Sequence, residues 1–401
     1  MSTKPAPLLQ PFAGVLPAPD KAHLVATRSY LTYSDYELKD KLSRNPYSYL
    51  HVIHPDGEPD STGGLGAIRA AYAGFLDRGW LRPDPEAHYY VLQQRGPLGT
   101  CTGVVGLVAT AAAQAGQIKV HESTLSHREN LFARYLSEVG LNAEPTLLAH
   151  EDSPALNGLL AEIKAARPDL DFTTADGVRH TLWRSTAAQR AQLEAVYGGL
   201  DAAYIADGHH RVASSMRLAE EQPGRTDAHA FMALLVPENE LIFRGYHRVV
   251  RMEANASTNA LAHLREMAGV SWKEGGHALH PGADEIALRG RFNGGLSIGP
   301  ALRESGLTAP EWLQEKVLAP LFGIDEPRTD ARLSYLPGDA SEDDLRGMAN
   351  GADTLAFVMP ALDFSGLKAV ADAGRFMPPK STWIAPKLRS GLTLFDFGPS
   401  S

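Results

Sequence analysis

The segment AAYIADGHHRVASSMRLAEE, Ala202 to Glu221, sets an acid, a glycine, two histidines and an arginine between an apolar run and a helical repeat. Ala203, Tyr204, Ile205 and Ala206 read as the end of a buried strand. Val212, Ala213, Met216 and Leu218 suit the inner face of a helix starting near His209. Asp207 and Gly208 then fall on a strand-to-helix turn, where backbone N–H groups and the positive helix end converge and glycine lets an anion approach. Arg211, in the first helical turn, can add a bidentate clamp on a phosphate oxygen. Asp207, Gly208, His209, His210 and Arg211 together read as a phosphate-binding turn. The plainer alternative makes Asp207 an N-cap, leaves Arg211 in water and gives the histidines to the surface. A metal is a competing use of two histidines, but neighbouring helical residues point in different directions, so His209 and His210 do not easily share one ion. A loosely held divalent ion such as Mg2+ on Asp207 stays open.

A second constellation is IKVHEST, Ile118 to Thr124. Continued as a strand, it puts Lys119 and His121 on one face and Val120 and Glu122 on the other. Glu122 is the preferred general base, because a half-buried carboxylate gains basicity by desolvation; His121 and Lys119 complete the catalytic set. The alternative is a strand end running into a solvated loop. Arg179 and His180 are assigned structural roles, as is Arg248, with reach into the site as its alternative, and lone Cys101 reads as a small packed side chain.

The elements that must hold these groups alternate between strand and helix patterns, which predicts an α/β, mixed α+β fold. A helix is expected at GGLGAIRAAYAGFLDRGW, a hairpin from HYYVLQQ and CTGVVGLVATAA, and a helix carrying Leu131, Phe132, Tyr135, Leu136 and Val139. A further helix follows Ser153 and Pro154, two short strands flank Ala175-Asp176-Gly177, and a helix starts near Thr186. AHAFMALLVPENELIFRGYHRVV reads as another hairpin. Downstream come a helix at ASTNALAHLREMAG, a capping pair at Ser341 and Asp344, the strand DTLAFVMPAL and the helix DFSGLKAVADAG.

A chain of 401 residues predicts two or three lobes, divided here into an N-terminal region 1–254 and a C-terminal region 255–401. The net charge of -9 and the absence of basic runs disfavour nucleic acid as a partner. One cysteine excludes an internal disulfide, the prolines near the start do not suit a signal peptide, and no apolar run is long enough to cross a bilayer. These features predict a soluble, cytoplasmic protein without a membrane partner. The glycine clusters GLGAIRA and NGGLSIG lack the spacing of a dinucleotide fingerprint.

NPYSYLHV, TGVVGLV, KVHEST, DGVRHTLWR, YIADGHHR and MPPKSTWIAPKL occur in the order and spacing of a bacterial family catalogued as domain of unknown function 1015, which the chain resembles over nearly its whole length. The resemblance adds Lys380, in MPPKST, to the cofactor-binding residues. The sequence departs from the family pattern at Arg28-Ser29-Tyr30-Leu31, in place of Pro-Pro-Tyr-Asp, and at Leu131 and Phe132, in place of Asp-Arg. More distantly, the strand, glycine turn and arginine resemble the phosphate-binding turn of the ParB and sulfiredoxin superfamily, whose members bind nucleotides and include a free-serine kinase. That likeness implies a ParB/sulfiredoxin-like strand-turn-helix core and ATP or another nucleotide, with Mg2+, as cofactor.

The function expected is therefore a nucleotide-dependent phosphotransferase, kinase-like, acting on a small hydroxyl compound such as an amino acid like serine. In it the turn at Asp207 to Arg211 holds phosphates, Glu122 takes the hydroxyl proton, and Lys119 or Lys380 neutralises developing charge. The alternatives are a metal-dependent hydrolase using His121, Glu122, Asp207 and His209, and a nucleotide-binding switch or adaptor without turnover.

Overall fold

The structure, a computed structural model, describes residues 7–54, 64–252, 256–274, 279–290, 293–351 and 353–400. It divides into two units: unit 1 holds residues 1–120, 124–242 and 386–401, and unit 2 holds residues 121–123 and 243–385. The division in the sequence thus falls between Ile242 and Phe243, whereas the boundary expected at 254/255 lies outside the described residues. The proline-rich N-terminal stretch likewise begins outside them. Among the described residues no helix is long and apolar enough to cross a membrane.

Unit 1 is built on an eight-stranded mixed sheet. Its strands in chain order are β1 (Tyr90–Gly96), β2 (Gly99–Ala109), β3 (Ile118–Lys119), β4 (Thr146–His150), β5 (Leu170–Thr173), β6 (Arg179–Arg184), β7 (Ala203–Asp207) and β8 (Ala230–Pro237). They lie in the order β3-β7-β4-β8-β2-β1-β6-β5. The expected hairpin β1–β2 pairs Tyr90 with Val105 down to Gly96 with Gly99. Of the expected second pair, β5 and β6 join through Gly177 at φ 79°. Helices α1 (Gly64–Asp77), α2 (Ser126–Val139), α3 (Pro154–Lys164), α4 (Ala187–Tyr197) and α5 (His209–Glu221) follow the apolar periodicity read from the sequence. Ser153 and Thr186 cap α3 and α4 as expected, each accepting a backbone N–H three residues on.

The main core of unit 1 packs Leu148, Ile205, Phe231, Ala233 and Leu235 of the sheet against Leu156, Leu160, Leu193 and Val212 of the helices. Each of the larger side chains among them, fully buried, contributes about 1.5–3 kcal/mol. Cys101 is 3 % exposed, and burial pushes its thiol well above the ordinary range, in keeping with its reading as a packing residue. The last stretch, 386–401, returns to unit 1: Phe395 and Asp396 pair antiparallel with Asn142 and Leu141, and Asp396 binds Arg69 at 2.7 Å.

Unit 2 is built on a six-stranded antiparallel sheet made of β9 (His247–Arg251), β10 (Ser271–Glu274), β11 (Glu285–Gly290), β12 (Gly294–Ser297), β13 (Leu333–Leu336) and β14 (Thr354–Val358), ordered β10-β12-β11-β14-β9-β13. Helices α6 (Ala256–Glu266) and α7 (Phe364–Asp372) stand where the sequence places them, and Ser341 and Asp344 form the expected capping box. One expectation fails: AHAFMALLVPENELIFRGYHRVV is no hairpin. The reason is that both edges of β8 are occupied, by β2 and β4, while the chain beyond it pairs Ile242–Gly245 with Thr382–Ala385 and sends β9 into the other sheet.

Candidate functional site

The end of β7 is irregular: its register against β4 slips between Ile205 and Asp207. Such a bulge re-aims the last side chains of a strand. Gly208 follows at φ 103°, and α5 begins at His209, so the strand-to-helix turn read from the sequence is present. A side-chain-bearing residue is strained at that angle, and a Cβ there would lie 2.8 Å from Arg211 Nε and 2.9 Å from Nη2, so the guanidinium would have to shift from its place over the turn. Gly208 itself is the N-cap, which replaces the alternative of Asp207 as a cap.

Arg211 is not in water. Its Nη1 donates to Glu144, and Ser390 Oγ donates to the second oxygen of the same carboxylate at 2.9 Å. Its Nε is buried without a partner. Burial disfavours the charge, yet Glu144 and Asp207 outweigh it and hold the guanidinium above its ordinary pKa. Asp207 lies 3.5 Å from Lys387 Nζ. A carboxylate facing two cations is poorly placed to hold a divalent ion, so nothing in the geometry favours Asp207 as a metal ligand. Among the described residues no group of three or more His, Cys, Asp or Glu could hold one. His209 and His210 are half-buried on the first turn of α5, and Val212, Ser214, Ser215, Leu218 and Ala219 form its buried face. Met216 packs partly buried against the core as expected, and two serines join the buried face, their hydroxyls donating back to the carbonyls of His210 and Arg211.

β3 runs parallel to β7, with Ile118 opposite Ala203 and Lys119 opposite Tyr204. The chain leaving Lys119 and the turn leaving Asp207 therefore emerge from the same end of the sheet, where ligands of α/β sheets gather. The strand stops at Lys119, however, and the alternation predicted through Glu122 does not continue. Val120 is 40 % exposed and His121 1 % exposed, the reverse of an apolar Val120 face. The cause is the passage of the chain from unit 1 into unit 2 after Val120. In unit 2 the His121 carbonyl accepts the Met377 N–H at 2.9 Å, and burial pushes the imidazole down to about 4. It is neutral at pH 7 and suits packing better than proton transfer. Glu122 is half-buried, and its charge reaches Arg248 and Tyr335.

Lys380 adopts φ 59° and sets its ammonium 5.2 Å from the Tyr246 ring centroid. Unit 2 thus brings together HEST, GYHRVV and MPPKST. Sequence reasoning missed Glu144, Ser390 and Lys387 around the turn. The signal for Lys387 was present, since it belongs to the same MPPKSTWIAPKL motif that singled out Lys380; Glu144, before a proline, carried none. Arg179 and His180 are structural, as expected: Arg179 forks onto Asp171, and His180 is buried against Phe172.

The buried histidines set a pH limit on the fold. Burial pushes His121 and His247 to about 4 and His180 to about 3, helped at His247 by His280 and Arg248 and at His180 by Arg389. Between an unfolded value of about 6.5 and those folded values the unfolded chain binds more protons, so stability is complete above pH 6.5 and declines as pH falls toward 4. Urea denaturation at pH 7 and pH 5 should show a loss of roughly 2 kcal/mol for each of these histidines. His180→Gln should flatten the slope, and a pH-independent midpoint would show that the imidazoles titrate normally.

A family described as "Protein of unknown function (DUF1015)" matches residues 9–304. No curated protein matches. Among solved structures, SbnI with a C-terminal truncation from Staphylococcus aureus is 11% identical, with a TM-score of 0.40, covering 70% of this chain and 82% of its own. A free serine kinase mutant in complex with ADP is 16% identical, TM-score 0.40, covering 73% and 91%. A free serine kinase in complex with AMP is 17% identical, TM-score 0.38, covering 73% and 90%. These distant neighbours, two of them holding a nucleotide, carry no argument about the residues of this chain.

Proposed function

The chain belongs to the DUF1015 family of proteins of unknown function, and we propose that this member is a nucleotide-dependent phosphotransferase acting on a small hydroxyl compound. The observation that carries the reading is the turn at Gly208. A left-handed glycine ends a strand, opens a thirteen-residue helix and lies beneath an arginine whose Nε is unsatisfied. Helix N-termini of this kind favour anions, and an unsatisfied guanidinium N–H gives a phosphate oxygen a charged donor. In this reading the β7–α5 turn is a strand-turn-helix of the ParB/sulfiredoxin kind, and Gly208, His209, His210 and Arg211 hold the phosphates.

Asp207 keeps Lys387 in place, and Lys119, at the end of β3, adds positive charge. Unit 2 carries Glu122, assigned as a base for a hydroxyl, and Lys380, assigned to charge neutralisation. Mg2+ enters on the phosphates of ATP rather than in a cage of side chains, as is usual for that ion. The protein then works in the cytoplasm, with a nucleotide and a small molecule as partners and no nucleic acid.

The test is a calorimetric titration of ADP and ATP into the full-length chain. Saturable binding that pyrophosphate competes away is expected, because the turn recognises phosphate rather than base. Absence of binding at millimolar nucleotide would overturn the reading.

A further inference from the structure

Arg248 lies on β9 with 2 % of its surface exposed. Among the described residues its sole hydrogen bond runs from Nη1 to the Tyr246 carbonyl at 2.6 Å. The acid whose charge reaches it is Glu122. A charged guanidinium with so little exposed surface and a single hydrogen bond to a carbonyl is costly to bury, and a bound anion would offset that cost. Burial drags it down to about 10, against the opposing pull of Tyr335, Glu122 and Tyr246, so it remains charged at pH 7.

Around it stands a built cluster. Tyr246 and Tyr335 meet edge-to-face with centroids 6.3 Å apart; Arg248 lies 5.8 Å from the Tyr335 ring and Lys380 5.2 Å from the Tyr246 ring. Lys380 is held there by a left-handed backbone that non-glycine residues seldom adopt, followed by the buried Ser381, whose Oγ donates to the Pro378 carbonyl at 2.6 Å. Arg328 Nη2 donates to the carbonyl and hydroxyl of Ser123, the residue after Glu122, at 2.6 and 3.1 Å. Three cations are thus gathered about the tyrosine pair and the Glu122–Ser123 peptide, with Glu122 as the carboxylate among them.

We propose that this cluster is a carboxylate-binding subsite: Arg248, assisted by Lys380, takes the carboxylate of a small hydroxy acid. Resting on the proposed function, the hydroxyl of that acid faces Glu122. The planar fork of arginine matches the two oxygens of a carboxylate. A monoanion suits the site better than a phosphate dianion, which the neighbouring Glu122 would repel more strongly.

The experiment titrates the full-length chain with glycerate and L-serine, their amides, and glycerol 3-phosphate, with ADP in parallel. The acids should bind about tenfold or more tightly than the amides and than glycerol 3-phosphate. Arg248→Lys, which keeps the charge but loses the fork, should weaken the acids about tenfold and leave the amides unmoved. Lys380→Met, at an exposed position, should weaken them by a smaller factor without touching the fold. Equal affinity for acid and amide, or tighter binding of glycerol 3-phosphate, overturns the subsite. Binding of ADP with no acid bound overturns it while sparing the phosphotransferase; acid binding without ADP upholds the subsite and removes the phosphotransferase.

Discussion

Glu122→Gln lowers turnover of nucleotide and hydroxyl acceptor by about a hundred- to ten-thousand-fold, the usual span for general acid–base catalysis, while ADP affinity stays near that of the native chain. Glutamine keeps the shape of the side chain and its capacity for hydrogen bonds but cannot accept the acceptor's proton. Glu122 is half-buried and contributes charge to the environment of Arg248, so the variant also leaves that guanidinium less compensated. Thermal unfolding therefore accompanies the kinetics. A chain that unfolds far earlier than native marks Glu122 as structural, and a chain that turns over normally places the base elsewhere. Lys119→Met supplies the contrast: a cation that neutralises phosphate is expected to affect binding as well as rate. If neither native nor variant chain consumes nucleotide, the switch without turnover becomes the better account.

Arg211→Ala weakens ADP binding by about 1.5–3 kcal/mol, the worth of a hydrogen bond to a charged group, which is roughly a ten- to hundredfold rise in Kd. The substitution also strips Glu144 of its cation, and that carboxylate is only 16% exposed. A loss of stability is thus expected beside the loss of affinity, and the two need separating. Adding Glu144→Gln removes the orphaned charge; the double variant should regain stability but not affinity. Glu144→Gln alone should tighten ADP binding, because it releases the guanidinium that the native chain shares between Glu144 and the ligand. Unchanged affinity in Arg211→Ala would remove the phosphate role of the turn.

Much of the scaffold was legible because local signals and tertiary demands agreed. Ser153-Pro154, Thr186 and Ser341 announce helix starts, the apolar spacing of α1 matches the face it buries, and that of α2 does so at Leu136 and Val139. The turn at Asp207-Gly208 was readable for the same reason, since glycine between an apolar strand and a helical repeat has few other uses. What failed was any inference that assumed sequence neighbours stay together. His121 and Glu122 follow Lys119 in the chain but belong to the other unit, so alternation along IKVHEST predicts the wrong faces. The false hairpin at LLVPENELIF fails at the same kind of crossing. Arg211's hold on Glu144, and its hydroxyl partner Ser390, link residues so distant in sequence that no spacing rule connects them.

The chain's last stretch has a consequence in time. Lys387, Arg389 and Ser390 supply partners to Asp207, Asp176 and Glu144, and Phe395–Asp396 completes a small ribbon with Leu141–Asn142. All of them are synthesised after residues 243–385, which form nearly all of unit 2. At a translation rate of about 5–20 residues per second, the ribosome spends roughly 7–30 s on that insertion while unit 1 lacks these later partners and Glu144 has Arg211 without Ser390. Unit 2 is therefore free to fold while unit 1 is still incomplete, and the Gly208 turn reaches its final form only once residues 387–390 have been made, so a nascent chain stalled within unit 2 carries the glycine and Arg211 but not Ser390 or Lys387.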